Sequence, residues 1–322
     1  MMINQKISEN NSMTNPIKIG TRGSQLALWQ AHYVQDLLEG GGYATQIVLI
    51  DTKGDQILDR ALSKIGSKGV FTQELEDQLR DGRIDIAVHS AKDLQSDLDP
   101  DLELIAFTER ELVNDVLVSH NTSLNFSSGV PFVVGTSSTR RVAILKHFYP
   151  HIKVVDMRGN LQTRLRKLED GHCDALLLAY AGVHRMQYDA LIAQKLSVLE
   201  FTPAVGQGSV AIETALGLDA RRKAQIRALL NHAPTENCLL AERAFLKKLQ
   251  GGCSVPVFGL CTNAINDTQM LEMTAGVVSL DGQTLLRETA QAPAQHPEKL
   301  GVALAEKLIA RGADEVLRAI RG

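Results

Sequence analysis

The chain has 322 residues, of which 44% are hydrophobic and 22% charged, and its net charge is −3. This length indicates two or three domains, and the composition is that of a globular protein able to bury its own cores. The near-neutral charge argues against attraction of the whole surface to nucleic acid or membrane, so an anion site must come from local Arg and Lys clusters. Aromatic residues are only 4% and are not interleaved with basic ones, which disfavours stacking on bases.

Three features of the sequence favour a cytoplasmic protein. Residues 1–16 are rich in Asn and Ser, lack a signal core and an Arg-rich stripe, and are predicted to be a disordered tail. The longest apolar run, 175–183, is too short to span a bilayer. The cysteines form no C-x-x-C pair, which favours reduced thiols. They are Cys173, Cys238, Cys253 and Cys261.

The first half alternates apolar strands with periodic helices, which predicts α/β domains with largely parallel sheets. The helix opened by Ser24 is expected to bury Leu26, Trp29, Tyr33 and Leu37. The other elements predicted here are strands at 17–20, 47–50 and 84–89 and a helix at 71–80 that Gly82 ends.

A second α/β block begins near Asp115, and a small α+β region closes the chain. Strands are predicted at 132–135, 154–155 and 175–179, helices after 136–138 and 158–160, and a crossover at 203–208 back to the first domain. The last region has a helix at 236–249, a hairpin at Asp281-Gly282 and a helix at 298–320 broken at Gly312. The predicted domains are 17–112 with 208–230, 113–207, and 231–322.

Cations lie beside small polar residues in three predicted strand-to-helix turns. These turns are Thr21-Arg22-Gly23-Ser24, Thr136-Ser137-Ser138-Thr139-Arg140-Arg141 and Arg158-Gly159-Asn160. The N-terminus of a helix favours anions, and Arg binds carboxylates with two parallel hydrogen bonds. One such turn is more often a capped helix with a solvated Arg, but three together indicate a cleft for a ligand with several carboxylates.

Two further segments carry candidate chemistry. His89-Ser90-Ala91-Lys92-Asp93 follows a buried strand, so Lys92 and Asp93 could face a cleft at its carboxyl end, although a surface ion pair is the simpler interpretation. Gly251-Gly252-Cys253 ends a helix and places a thiol on a loop, although a small buried Cys would also fit. The histidines show no metal-binding spacing.

Taken together, the segments resemble the hydroxymethylbilane synthase (porphobilinogen deaminase) family from about Ile17 to the C-terminus. The order and spacing of several short motifs carry the resemblance. They are Thr21-Arg22 with 24–27, Lys64-Ile65-Gly66-Ser67-Lys68-Gly69, 89–93, 134–138 with Arg140-Arg141, Arg158-Gly159-Asn160 with Thr163-Arg164, 203–208, Ala241-Glu242-Arg243-Ala244 and 251–253. The sequence departs from the family pattern at Lys18, Gln95, Thr139 and 112–114, and Gln95 is expected to loosen the loop after Asp93.

The resemblance implies two type II periplasmic-binding-protein-like α/β domains with the active site between them, plus a small α+β domain that bears the cofactor. The implied enzyme is a transferase of tetrapyrrole (haem) biosynthesis that works as a monomer and needs no metal. It deaminates porphobilinogen, joins four molecules head to tail into a growing oligopyrrole on a covalent dipyrromethane, and releases hydroxymethylbilane by hydrolysis.

The resemblance also implies roles for individual residues. Cys253 would hold the dipyrromethane, and Asp93 would be catalytic. The other implied cofactor contacts are Lys92, Asp93, Thr136, Ser137, Ser138, Arg140, Arg141 and Arg158. The implied substrate contacts are Arg22, Ser24, Lys64, Lys68, Arg158, Arg164 and Gln207.

Two other functions fit parts of the sequence. A non-catalytic, two-lobed solute-binding or ligand-sensing protein would share the fold, because fold does not determine function. A transferase with a cysteine nucleophile and no bound pyrrole would need a base beside Cys253. The Gly-Gly-Cys loop and the lack of an export signal weigh against the first.

Overall fold

The computed structural model describes residues 15–52, 72–252, 255–265 and 267–321. The predicted tail at 1–16 lies almost wholly outside these residues, as do Lys64, Lys68 and Cys253. Within the described part of the chain, no helix is long and apolar enough to cross a membrane.

Strands and helices of the described residues are numbered in chain order. The strands are β1 (Ile17–Thr21), β2 (Thr45–Leu49), β3 (Ile86–Ser90), β4 (Leu102–Phe107), β5 (Asp115–Val118), β6 (Val133–Gly135), β7 (Lys153–Val155), β8 (Ala175–Ala179), β9 (Ile192–Lys195), β10 (Val210–Ala215), β11 (Val257–Ala264), β12 (Asp267–Val278) and β13 (Leu285–Pro293). The α-helices are α1 (Gln25–Gly40), α2 (Gln73–Arg80), α3 (Thr139–Phe148), α4 (Leu161–Glu169), α5 (Tyr180–Arg185), α6 (Ala220–Leu230), α7 (Ala233–Lys248), α8 (Pro297–Ala310) and α9 (Ala313–Arg321).

Two five-stranded sheets share one topology. Their orders are β2-β1-β3-β10-β4 and β7-β6-β8-β5-β9. In the first, β1 is parallel to β2 and β3, while β10 runs antiparallel to β3 and β4. In the second, β6 is parallel to β7 and β8, while β5 runs antiparallel to β8 and β9.

The prediction of largely parallel sheets is confirmed, since four of the five strands in each sheet run in the same direction, but each sheet also contains one strand, β10 or β5, that runs in the opposite direction. The reason lies in the two segments that cross between the sheets. Val210 pairs with Ser90 at the end of β3, and Asp115 pairs with Ala179 at the end of β8. A strand that enters where its neighbour ends must run in the opposite direction. The exact domain boundaries stay a prediction.

For helix α1, the predicted cap is confirmed but the predicted buried face is wrong. Ser24 caps it as predicted, accepting from the backbone N–H of Ala27 at 3.3 Å. The buried face, however, is Gln30, Ala31, Val34 and Leu38, not the predicted set. Both faces of this helix are apolar, so hydrophobic spacing alone could not select the one that lies on the sheet.

The predicted face of α1 instead turns towards the second α/β domain. The Trp29 and Tyr33 rings stack with centroids 5.5 Å apart, and the Arg185 guanidinium lies 5.1 Å from the Trp29 ring. Arg185 also donates to the carbonyl oxygen of Gly208 at 2.8 Å. These half-buried side chains therefore connect α1, α5 and the crossover segment.

The C-terminal region is the antiparallel sheet β11-β12-β13, which packs on α7 and α8. The hairpin at Asp281-Gly282 is confirmed, with Gly282 at φ +76°, and so is the helix break at Gly312, at φ +93°. Helix α7 ends slightly earlier than predicted. Gln250 takes a left-handed φ of 51°, and the N–H of Gly251 donates to the carbonyl of Leu246 at 2.8 Å, which forms a Schellman end.

One buried carboxylate joins α7 to both crossover segments. Glu242 is fully buried and accepts from Arg110 Nη1 at 2.6 Å and from Arg110 Nη2 at 3.1 Å. It also accepts from the backbone N–H groups of Gly206 and Cys261, each at 2.8 Å. The α+β region is thereby fastened to the chain segments that connect the two sheets.

Candidate active site

The predicted site residues in the described part of the chain gather at one edge of the two sheets. Arg22 and Ser24 follow β1, and the 3₁₀-helix Ala91–Asp93 follows β3. Thr136 to Arg141 follow β6, and Arg158 and Arg164 lie between β7 and the first turns of α4. These are the carboxyl ends of parallel strands, where open α/β folds bind ligands.

The turn that carries Lys92 and Asp93 is held tightly by the second crossover segment. The N–H of Ala91 donates to the carbonyl of Ser209 at 3.0 Å. Gly206 has φ +79°, and a Cβ there would lie 2.8 Å from the carbonyl carbon of Ala91, so glycine is required for this approach. Asp93 itself is exposed.

Cations from both sheets crowd around this turn. Burial lowers the pKa of Lys92 to about 8; Asp93 opposes this, while Arg141 and Arg164 add to it. Burial and the neighbouring charge of Arg141 lower the pKa of Arg164 to about 10, again opposed by Asp93. Within the described residues, five cations thus share this region with three carboxylates; the cations are Lys92, Arg140, Arg141, Arg158 and Arg164, and the carboxylates are those of Asp93, Asp115 and Asp156. Such a cluster is suited to binding a ligand with several carboxylates.

Asp115 organises a second, enclosed group of cations. The side chains of Arg140 and Arg141 are 4% and 7% exposed, and each donates to one Asp115 oxygen at 2.7 Å. Arg140 also donates to the carbonyl of Thr202, and Arg141 to that of Leu177. Burial disfavours the Asp115 carboxylate, but the two guanidiniums outweigh burial and hold its pKa well below its usual range.

The hydroxyl groups of 136–138 shape the turn that positions these arginines. Thr136 Oγ1 accepts from the N–H of Ser138 at 3.3 Å, and Ser137 Oγ accepts from the N–H of Met157 at 3.0 Å. Ser138 caps α3 as predicted and accepts from the N–H of Arg141 at 3.5 Å. The turn therefore fixes the start of α3 beside the β7 loop.

Residues 156–164 form the other wall of the site. Asn160 caps α4, and Gly159 has φ +109°. Arg158 Nε donates to Asp156 at 2.9 Å, and Arg164 Nε donates to the carbonyl of Gly159 at 2.8 Å. These bonds hold the side chains of Arg158 and Arg164 on the same loop.

Gln207 is placed differently from the other predicted substrate contacts. It is 1% exposed, and its amide donates to the carbonyl of Val113 at 2.7 Å and to Asp115 at 3.0 Å. Its amide group thus supports Asp115 from within the crossover. Its assignment as a substrate contact stays a prediction.

Sequence reasoning missed three residues that shape this region: Asp115, Arg185 and Arg243. Asp115 had a signal, since it is an acidic residue opening an otherwise apolar strand. Arg243 lies in the motif Ala241-Glu242-Arg243-Ala244, whose residues alone indicate no role for it. For Arg185 nothing local distinguished it from a solvated cation, because its neighbours come from distant parts of the chain.

Known proteins resemble this chain over most of its length. Residues 17–224 match the family model "Porphobilinogen deaminase, dipyromethane cofactor binding domain", and residues 236–310 match "Porphobilinogen deaminase, C-terminal domain". The chain is 58% identical to a porphobilinogen deaminase of Cytophaga hutchinsonii, over 96% of this chain and 98% of that relative. It is 51% identical to one of Desulfosudis oleivorans, over 95% and 98%.

Solved structures also resemble the chain. The VFT2 domain of Bordetella pertussis BvgS matches with a TM-score of 0.40 and 17% identity, over 67% of this chain and 84% of that one. The family models and the two relatives, which extend over nearly the whole chain, settle the assignment. The chain belongs to the porphobilinogen deaminase family.

Proposed function

We propose that this chain is a hydroxymethylbilane synthase, a transferase that deaminates porphobilinogen and joins four molecules head to tail on a dipyrromethane bound to Cys253. The observation that carries the proposal is the group formed by Lys92, Arg141 and Arg164 around Asp93, where the two sheets meet. Each ring of the substrate bears an acetate and a propionate, so a cation-rich cleft with one carboxylate matches its chemistry.

The residues present fit a dipyrromethane. Its carboxylates would meet a group of described residues in which cations outnumber carboxylates, and Lys92, Arg141 and Arg158 with the 136–138 turn would hold them. Residues 17–224 match the cofactor-binding model of the family, which supports this location. When attached, the dipyrromethane would supply the free pyrrole carbon to which the first substrate ring is joined, and each later ring would join the ring added before it.

Asp93 is the residue proposed to act on the reacting ring. Loss of ammonia leaves positive charge on the pyrrole, and a carboxylate beside the ring nitrogen stabilises that charge. The same side chain is proposed to assist proton transfer to the leaving amine and from the ring carbon after coupling. Lys92 and Arg164 lie near Asp93 and are proposed to orient the acetate and propionate groups.

Asp115 has a supporting part in this proposal. It holds Arg140 and Arg141 in place, and Gln207 fixes Asp115 from the crossover. Arg140 and Arg141 are both bonded to Asp115 and to a carbonyl oxygen, but Arg141 also lies close enough to affect the pKa values of Lys92 and Arg164. Arg141 is therefore proposed as the ligand contact, and Arg140 as its structural support.

We further propose that the protein works as a monomer in the cytoplasm. Both walls of the cleft come from one chain, which supports a complete site in a single copy. The described cysteines Cys173, Cys238 and Cys261 are buried free thiols, which suits a reducing compartment. Light scattering of purified protein tests the first statement, and fractionation of cells tests the second.

Intact mass spectrometry tests the assignment directly. The purified chain should carry the added mass of a dipyrromethane, and Cys253→Ser should lose that mass together with ammonia release from porphobilinogen. Asp93→Asn should keep the mass but release ammonia about 10²–10⁴-fold more slowly. An unmodified chain that is fully active would refute the role of Cys253, and a chain that only binds porphobilinogen would favour a solute-binding protein.

A further inference from the structure

Three side chains on one side of helix α7 form a stripe that contacts the loop after β3. Leu239, Arg243 and Lys247 are spaced four residues apart and so lie on one side of the helix. Leu239 is 1% exposed and packs in the cluster that contains Ala91 and Leu94, which flank Lys92 and Asp93. Leu239, the first residue of the stripe, thus packs against the residues on either side of Lys92 and Asp93.

The next two residues of the stripe bind the chain beyond Asp93. Arg243 Nη2 donates to the carbonyl oxygen of Gln95 at 2.9 Å, across 148 positions of sequence. Lys247 pairs with Asp97 at 2.8 Å, but both side chains are largely exposed, so this pair contributes little. Gln95 was expected to loosen this loop, yet Arg243 holds its main chain, which any residue at 95 would offer.

Arg243 also faces the chain before the turn. His89 Nε2 lies 2.9 Å from Glu213 Oε2, and both side chains are buried. Glu213 Oε1 is buried and has no hydrogen-bond partner within the described residues. Burial lowers the pKa of Arg243, while Glu213 and Asp97 oppose that shift, so Glu213 and Arg243 attract each other. Arg243 is thus bonded to the chain beyond the turn and attracted to Glu213, the partner of His89.

The C-terminal end of α7 leads directly to the proposed attachment point of the cofactor. Leu249 is the C-terminal cap of the helix, and Gln250 takes a left-handed φ. The helix that holds the loop containing Asp93 thus ends at Lys248, five residues before Cys253 in the sequence.

We infer that Arg243 is a positioning residue, which holds the loop that contains Asp93 against α7 through the Gln95 carbonyl. This inference rests on the proposed function of the site. Arg243 touches neither substrate nor reacting atoms. Its effect is to keep the catalytic carboxylate in one place while the product chain lengthens.

The test compares Arg243→Met with the wild-type holoenzyme. Mass spectrometry should show the same attached dipyrromethane in both proteins. The variant should lose about tenfold or more in kcat with KM within about twofold, because a displaced catalytic group affects the reaction more than binding. Hydrogen–deuterium exchange should rise in residues 91–97 and stay unchanged in β12 and β13. Arg243→Lys, which keeps the charge near Glu213, should recover part of kcat.

Matched variants separate positioning from general destabilisation. Lys248→Ala removes a cation one turn away that pairs with Glu306, and Gln95→Ala keeps the bonded carbonyl, so both should behave like wild type. Leu304→Ala should lower Tm without selective exchange at 91–97. Wild-type kcat in Arg243→Met, or equal loss of kcat in Leu304→Ala at the same Tm shift, would overturn the inference. A wild-type chain that leaves porphobilinogen unchanged would instead reject the proposed function.

Discussion

The two groups of cations in the cleft differ in the part that each is expected to play. Arg140 and Arg141 share the buried carboxylate of Asp115, and each also has a main-chain acceptor. Lys92 and Arg164 lie beside each other and beside Asp93, with Asp115 also acting on Lys92 and Asp156 on Arg164, and burial lowers the pKa values of both. Hydrogen bonds within the protein hold the first group, of which Arg141 is also a proposed ligand contact, whereas Lys92 and Arg164 are proposed to bind the carboxylates of the ligand.

The largest effect, a loss of stability, should come from removing the charge of Asp115, which holds Arg140 and Arg141. Asp115→Asn would leave two buried guanidiniums without their counter-charge, and should lower the free energy of unfolding by about 3–5 kcal/mol. Asp156→Asn removes an exposed partner of Arg158 and should cost less than about 1 kcal/mol. Urea titration measures both. Equal losses would mean that the Asp115 group is not the more tightly coupled one.

The same carboxylate gives stability a dependence on pH. The pKa of Asp115 is depressed in the folded chain, so its contribution is present above the unfolded pKa of about 4 and is lost as pH falls below it. Asp115→Asn should remove this part of the acid sensitivity. A variant that keeps the full wild-type slope would show that other carboxylates dominate.

A smaller effect, and one on activity, is expected from changing Lys92 or Arg164. Arg164→Met should stall chain growth and lower kcat/KM by about ten- to a hundredfold, the loss of a charged hydrogen bond to a carboxylate. Its unfolding free energy should change little, because a cation leaves a cluster of like charges. Native mass spectrometry would show an altered distribution of bound pyrrole intermediates.

Arg140→Met is the matched comparison for that variant. It should lower the free energy of unfolding, since it removes a bond to Asp115, and affect chain growth mainly through that loss. If Arg140→Met stalled growth with stability intact while Arg164→Met unfolded the protein, the division between the two groups would be reversed.

The smallest effect concerns pH and Lys92. A pKa of about 8 in the free enzyme means that Lys92 is charged below that pH and loses its charge above it. An anionic substrate favours the charged form, so kcat/KM should fall as pH rises beyond about 8, by at most about tenfold per pH unit. In Lys92→Arg the cation persists, and this fall should disappear. An identical profile in both proteins would remove Lys92 from substrate binding.

Much of the site could be predicted because short motifs carry local physics. Ser24, Ser138 and Asn160 cap helices at the ends of strands, as their residue types favour. Arg243 could not be given a role in this way, since its partners Gln95 and Glu213 are far away in the sequence. The direction of β5 and β10 was also missed, because it depends on where the chain re-enters a sheet.

Sequence alone determined the family, the order of elements and the kinds of side chain that line the cleft, since strand and helix periods, caps and motif spacing are local properties. Tertiary structure decided which face of α1 is buried, which arginines are bonded to Asp115 and which lie beside Lys92. Those outcomes depend on desolvation and on charges brought together from distant segments, and local sequence determines neither.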